Sequence, residues 1–211
     1  CTTNVFCVCS QRHRLPKVFL DTSSLVSPDE LNGDLLLMES RNSVRNITAH
    51  LLEKGCTLPG FMGDIGYAQS NRERYEGFCQ ALMDAGKTPN PSLCLTTPLG
   101  IDSYREEIDS FLSSLSRMPD AFVCASDYVA CILMQLLEKR GLRVPEDVAV
   151  SGFDNNIEDL LAENLTTVQV FNEELGSRLA LQILYRIKYP HTPHEVTYLE
   201  SKVLYRASTG D

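Results

Sequence analysis

Apolar residues recur along this chain in two patterns: short unbroken runs bounded by turn formers, and longer stretches with apolar positions three and four apart. Lys17–Leu20, bounded by Pro16 and Asp21, and Leu35–Met38 are of the first kind and predict buried strands. From Asn42 to Lys54, Val44, Ile47 and Leu51 keep helical spacing, and Gly55 predicts the stop. Gly60–Gly63 predicts another strand. Ser70 with Glu73 forms a capping-box signature ahead of a helix carrying Tyr75, Phe78, Cys79 and Leu82 on one face, closed by Gly86. A second such signature, Ser103 with Glu106, opens a helix with Ile108, Phe111, Leu112 and Leu115 on its face. Strand Ala121–Ala125, helix Asp127–Arg140, strand Val148–Ser151, a helix from Glu173 to Lys188 capped by Asn172, and strand Leu199–Tyr205 complete the series.

Strands alternating with helices predict the α/β class with mainly parallel sheets, because parallel neighbours need a crossover and the crossover is usually helical. Thr22–Gly33 and Pro190–Glu195 are the expected exposed loops. No internal repeat or low-complexity stretch interrupts the pattern.

Composition narrows the function. With 211 residues and 43% apolar content the chain can build a substantial core. A formal charge of −9 and a pI near 4.9 do not suit a phosphate backbone, which needs clustered Lys and Arg, so any DNA contact is expected from elsewhere. The longest apolar candidate, Ala130–Leu137, contains Gln135 and falls short of the roughly 20 residues of a membrane helix. No secretory signal is visible at Cys1. Of the eight cysteines, Cys1, Cys7, Cys9, Cys56, Cys79, Cys94, Cys124 and Cys131, most read as buried free thiols, for which a reducing cytoplasm is the natural setting. Cys7 and Cys9 lack zinc-knuckle spacing, and neither a metal nor a cofactor is expected.

In open α/β sheets ligands sit beyond the carboxyl ends of the strands. The polar residues there are Asp21, Asp64, Ser126 with Asp127, and Asp154, which predicts one shared rim. Each singly also fits a turn or helix cap. Arg74 is placed in the first turn of its helix, where the dipole disfavours a cation, so a nearby anion or ligand would compensate. Its bland alternative is a solvated side chain paired with Glu73 or Glu76. Several carboxylates and one guanidinium suit a neutral polyhydroxylated ligand such as a sugar. The competing reading is a small Mg-dependent α/β enzyme using Asp21, Asp127 and Asp154, although neither a GxxxxGK[ST] nor a GxGxxG loop is present. His13, His50, His191 and His194 lie near no GxSxG elbow, so no catalytic residues are assigned and no enzyme is expected.

The stretch Pro119-Asp120-Ala121-Phe122-Val123-Cys124-Ala125-Ser126-Asp127, continued by Gly141 to Asn155, resembles the effector domain of the LacI/GalR family of transcriptional regulators. Leu165-Thr166-Thr167-Val168, Glu174-Leu175-Gly176 and Arg206-Ala207-Ser208-Thr209 resemble its closing blocks in order, and Ser70-Asn71-Arg72-Glu73-Arg74 with Gly77-Phe78 resembles another. The likeness runs from about Leu15 to Thr209. Ser126 stands where the family often has Asn, Val170-Phe171 where Gln-Pro is frequent, and Glu39-Ser40 where Asp-Asn is common.

The resemblance implies a two-lobed fold like that of type I periplasmic sugar-binding proteins, with three crossovers and a ligand cleft between the lobes. Residues 1–38 with 172–200 would form an N-terminal lobe lacking its first strands, and residues 39–171 with 201–211 the C-terminal lobe. By position Asp21, Arg74, Ser126 and Asp154 match family ligand contacts, and Asp127 adjoins them. The implied partners are a sugar-like small-molecule effector, operator DNA through a helix-turn-helix head missing from this chain, and a second subunit in a homodimer; no membrane is involved. A periplasmic sugar-binding protein of a transporter shares the fold and remains the other reading. A sheet edge left open would favour aggregation.

Overall fold

The computed structural model of the protein describes residues 15–100, 102–155 and 163–211. The elements in order are β1 (Val18–Leu20), β2 (Asp34–Met38), α1 (Arg41–Glu53), β3 (Pro59–Met62), α2 (Gln69–Asp84), β4 (Cys94–Leu95), α3 (Tyr104–Ser114), β5 (Ala121–Cys124), α4 (Asp127–Lys139), β6 (Ala149–Ser151), β7 (Thr167–Gln169), α5 (Asn172–Lys188), β8 (Val196–Leu199) and β9 (Lys202–Leu204). The class is α/β, with two parallel sheets flanked by helices.

Period-two alternation builds the larger sheet, ordered β4-β3-β5-β6. Ala121 and Val123 of β5 face one way, into a cluster with Val44, Ile47 and Leu51 of α1 and Phe78 of α2. Phe122 and Cys124 face the other way, against Ile108 of α3 and Leu133 and Leu136 of α4. The sheet is therefore buried on both faces, as its continuous apolar run requires. Helices α1 and α2 approach so closely that a Cβ on Gly77 would lie 2.1 Å from the Arg41 carbonyl oxygen, which explains a glycine in mid-helix.

The smaller sheet is ordered β1-β2-β8, all parallel, with Leu35 opposite Val196 and Leu36 opposite Thr197. Leu36 and Met38 pack on Leu175 of α5. On the opposite face Leu35 and Leu37 meet Val26 and Leu31, so the 22–33 segment, although a loop, supplies core side chains. Among the described residues β1 and β8 each pair only with β2, and Leu20, Val196 and Tyr198 are exposed beside them. Leu181, Leu184 and Ile187 are exposed on α5.

Several elements differ from expectation. Leu199–Tyr205 is two strands: β8 belongs to the small sheet, and β9 pairs antiparallel with β7. The polar run Glu200-Ser201-Lys202 falls where the chain passes between sheets. Strands β4 and β7, of two and three residues, are too short for periodicity to declare. The residue before α5 is Phe171, and Asn172 is its first helical residue. Ser103 precedes α3, but its hydroxyl donates to Glu107 and no capping box with Glu106 forms.

The chain passes between sheets at Glu39-Ser40, Val170-Phe171 and Glu200-Ser201. Two of these crossings are tied together: the Ser201 hydroxyl donates to the Glu39 carbonyl at 2.7 Å and lies 2.8 Å from the Ser43 hydroxyl.

Candidate functional site

Helix α2 starts at Gln69 with Ala68 as its cap, so the Ser70–Glu73 capping box is not formed and Arg74 lies in the second turn. The freed groups reach across to the small sheet. Ser70 donates its hydroxyl to Asp21 Oδ2 at 2.6 Å, and Asp21 Oδ1 accepts from the Thr22 amide at 2.7 Å. Glu73 is buried and accepts from Gln69 Nε2 at 3.2 Å and from the Tyr198 hydroxyl of β8 at 2.8 Å. Burial and this carboxylate push the Tyr198 phenol up to about 12.

Arg74 is only 7% exposed, and Glu76 pairs with Arg41 instead, so the solvated reading fails. Its guanidinium lies 3.6 Å over the Phe153 ring centroid, a cation–π geometry. Nη1 donates to the Ala125 carbonyl and, at 3.4 Å, to Asn71; Nη2 stands 3.6 Å from Asp154 Oδ1; Nε is buried with no hydrogen-bond partner. Burial works to lower the Arg74 pKa, and the charges of Asp154, Asp21, Asp127 and Glu73 oppose it. Burial likewise raises the Asp154 carboxyl, with Arg74 pulling the other way.

The backbone is unusual at the same place. Asp21, Asp154 and Asn155 have φ of 56°, 108° and 50°, conformations that L side chains rarely adopt. Asn155 is held there by its side-chain amide on Gln169 at 2.5 Å and by Arg206, which donates to its oxygen at 2.8 Å. Strain of this kind persists where surrounding structure over-determines it, and it concentrates at ligand sites.

The five expected residues divide. Asp21, Arg74 and Asp154 converge around the start of α2. Ser126 caps α4, its hydroxyl accepting from the Val129 amide at 3.3 Å. Asp127 is buried with Oδ1 accepting from Thr167 at 2.6 Å, so this oxygen is spent on tying α4 to β7. Among the described residues no three His, Cys, Asp or Glu side chains are arranged to hold a metal. Sequence reasoning passed over Phe153, Glu73 and Tyr198; Phe153 lies within the quoted Ser151-Gly152-Phe153-Asp154 block, whereas nothing in sequence pairs Glu73 with Tyr198.

Two parallel sheets, three chain crossings and a polar rim between them define a periplasmic-binding-protein-like fold. The chain belongs to the periplasmic binding protein-like domain family, whose model matches residues 48–209, in the LacI/GalR line of regulators. It is 29% identical over 196 residues to the HTH-type transcriptional repressor PurR of Aliivibrio salmonicida, which covers 92% of this chain. The chain spans 57% of that repressor's length. Among solved structures, a LacI-family regulator from Sanguibacter keddieii matches with a TM-score of 0.78 and 26% identity, covering 93% of this chain and 72% of the other. The regulator CelR in complex with cellobiose matches with a TM-score of 0.78 and 26% identity, covering 90% of this chain and 58% of the other. Among the described residues no helix is long and apolar enough to cross a membrane.

Proposed function

We propose that this chain is the effector-sensing domain of a LacI/GalR-type transcriptional regulator and that a small sugar-like effector binds between the two sheets. Residues 1–38 with 172–200 and residues 39–171 with 201–211 are the two lobes of this reading. The observation that carries it is Arg74: a buried guanidinium with an unpartnered Nε, ringed by carboxylates from both sheets. A hydroxylated ring offers that site acceptors for the guanidinium and donors for Asp154 and Asp21 in one neutral molecule. Ser126 and Asp127 support the rim's backbone.

The relatives' regulatory role and the cellobiose bound to CelR support a sugar as the class. Effector binding would shift the balance of lobe closures, and operator binding would follow it through a helix-turn-helix head and a dimer, which is coupling between two sites. The protein then works in the cytoplasm and has no enzymatic turnover.

A thermal-shift series against monosaccharides and disaccharides tests this, since a ligand at a hundred times its Kd adds roughly 2.7 kcal/mol to the native state. The expected result is a hit lost in Arg74→Ala and in Asp154→Ala. A hit that survives both substitutions would place the ligand elsewhere.

A further inference from the structure

Asp154 meets Arg74 at 3.6 Å from a backbone with a φ of 108°, so the aim of its carboxylate has to be set by the residues behind it. Strand β7 supplies three consecutive holds on the Asp154-Asn155 turn. The Val168 carbonyl accepts from the Asp154 amide at 3.1 Å, the Thr167 hydroxyl accepts from the Asn155 amide at 3.2 Å, and Gln169 Oε1 accepts from Asn155 Nδ2 at 2.5 Å. Thr167 gives its own proton to Asp127 Oδ1 at 2.6 Å, so toward Asn155 it acts as acceptor. A fourth hold comes from beyond β9, where Arg206 Nη2 donates to Asn155 Oδ1 at 2.8 Å.

These bonds have a fixed direction. A guanidinium only donates, so Arg206 turns the Asn155 side-chain oxygen toward itself and the amide nitrogen toward Gln169. Gln169 then presents its oxygen to Asn155, and its nitrogen donates to the Val170 carbonyl at 2.8 Å. The relay begins after β9, which leaves the crossing at Glu200-Ser201, and ends at the crossing of Val170-Phe171. Strands β7 and β9 join the two crossings as an antiparallel pair with Val168 opposite Val203. Aspartate at position 155 would have no donor for Gln169, and glycine, which takes the φ of 50° freely, would have neither group.

We infer that Asn155 is a positioning residue for effector binding: through Arg206 and Gln169 its side-chain amide fixes the aim of the Asp154 carboxylate and fastens that aim to both crossings. The effector role rests on the sensing function proposed above, whereas the hold on the carboxylate is open to test without any sugar. A carboxylate held to within about 0.5 Å keeps its hydrogen-bond geometry toward a ligand hydroxyl. Released, it turns to water, and the lost geometry has to be recovered at the expense of affinity.

The test compares Asn155→Gly and Gln169→Leu with the wild type. If Asn155 served only to occupy a left-handed turn, glycine would replace it without loss. Carbon NMR of protein labelled at the aspartate carboxyls, with the Asp154 signal assigned from Asp154→Asn, follows the carboxylate itself. Burial raises the Asp154 carboxyl in the wild type, and in both variants its midpoint is expected to fall toward the ordinary value of about 4. Affinity is read from thermal-shift titrations with the monosaccharides and disaccharides of the series above, glucose, ribose and cellobiose among them. A sugar that stabilises the wild type is expected to bind each variant about tenfold more weakly, and the double variant no more weakly than either alone, since both substitutions cut one relay. An Asp154 midpoint unmoved in both variants overturns the positioning role, and so do sugar affinities equal to that of the wild type. Should the midpoint fall while no sugar stabilises the wild type, the hold on the carboxylate stands and the sugar-sensing function falls. Should a sugar stabilise the wild type and both variants alike, sensing stands and the positioning role falls.

Discussion

Two of this molecule's Arg–Asp pairs are built on a buried arginine, and they could hardly be less alike. Arg186 and Asp34 are 3% and 1% exposed. Arg186 Nε reaches Asp34 Oδ2 at 2.9 Å, Nη1 reaches the Thr192 carbonyl at 2.6 Å and its hydroxyl at 2.8 Å, and Nη2 reaches Asp34 Oδ1 and the Pro193 carbonyl. Asp34 also accepts from Gln182 at 2.8 Å and from the Glu195 amide at 2.9 Å. Against burial, these bonds hold its carboxyl below the usual range. Arg74 and Asp154 meet at 3.6 Å, the carboxylate side chain is 43% exposed, and its backbone sits at a φ of 108°. The first pair pins the 190–195 turn and α5 to the small sheet; the second keeps hydrogen-bonding capacity in reserve. A fully satisfied buried pair does structural work, while an unsatisfied and strained one suits the ligand-binding role proposed for Arg74 and Asp154.

The largest test of that contrast is Arg186→Met, which strands Asp34 as an unpaired buried charge. The expected loss is about 3–5 kcal/mol in urea denaturation. Adding Asp34→Asn should restore part of it, because the neutral amide removes the unpaired charge, its oxygen still accepts from the Glu195 amide, and its NH2 can donate to a flipped Gln182 side chain. A loss under about 1 kcal/mol would show that water reaches the pair and that burial does not govern it.

Asp154→Gly should act in the opposite direction. Glycine accepts a φ of 108° at little steric cost, so relief of the strain is expected to raise stability by about 1 kcal/mol while removing the sugar response. Stability gained as binding is lost is the pattern of a site held against its own preference. A destabilisation of similar size would put Asp154 in the same structural category as Asp34.

The difference between the pairs also marks how far sequence reaches. Apolar periodicity located elements only where they were long enough to repeat; β4 and β7, of two and three residues, were too short. Strand ends single out Asp21, Asp64, Ser126, Asp127 and Asp154, because the carboxyl ends of parallel strands share one edge. What each oxygen is spent on was not legible. Ser126 and Asp127 look as suitable for a ligand as Asp154 does, yet one caps α4 and the other has an oxygen bound by Thr167 across 40 residues. Asp34 drew no attention because nothing local connects it with Arg186, 152 positions away. Glu73 read as a helix cap and proved to meet Tyr198, 125 positions on. Spacing reports neighbours within an element, and these partners arrive from different sheets.

The gentlest test uses pH, because the two carboxyls are displaced in opposite directions. The Asp34 carboxyl is lowered, so its contribution is fully present above the unfolded value of about 4 and is lost as pH falls through the folded value. The Asp154 carboxyl is raised by burial, so between about 4 and its folded value the native state holds more protons than the unfolded chain. Its contribution therefore declines as pH rises across that window and is level above it. Melting curves of the wild type, Asp34→Asn and Asp154→Asn from acid to neutral pH should diverge accordingly. The wild type should gain on Asp34→Asn with rising pH and lose ground to Asp154→Asn. Parallel curves for both variants would mean that Arg74 compensates Asp154 as fully as Arg186 compensates Asp34, and the functional distinction between the pairs would then rest on strain alone.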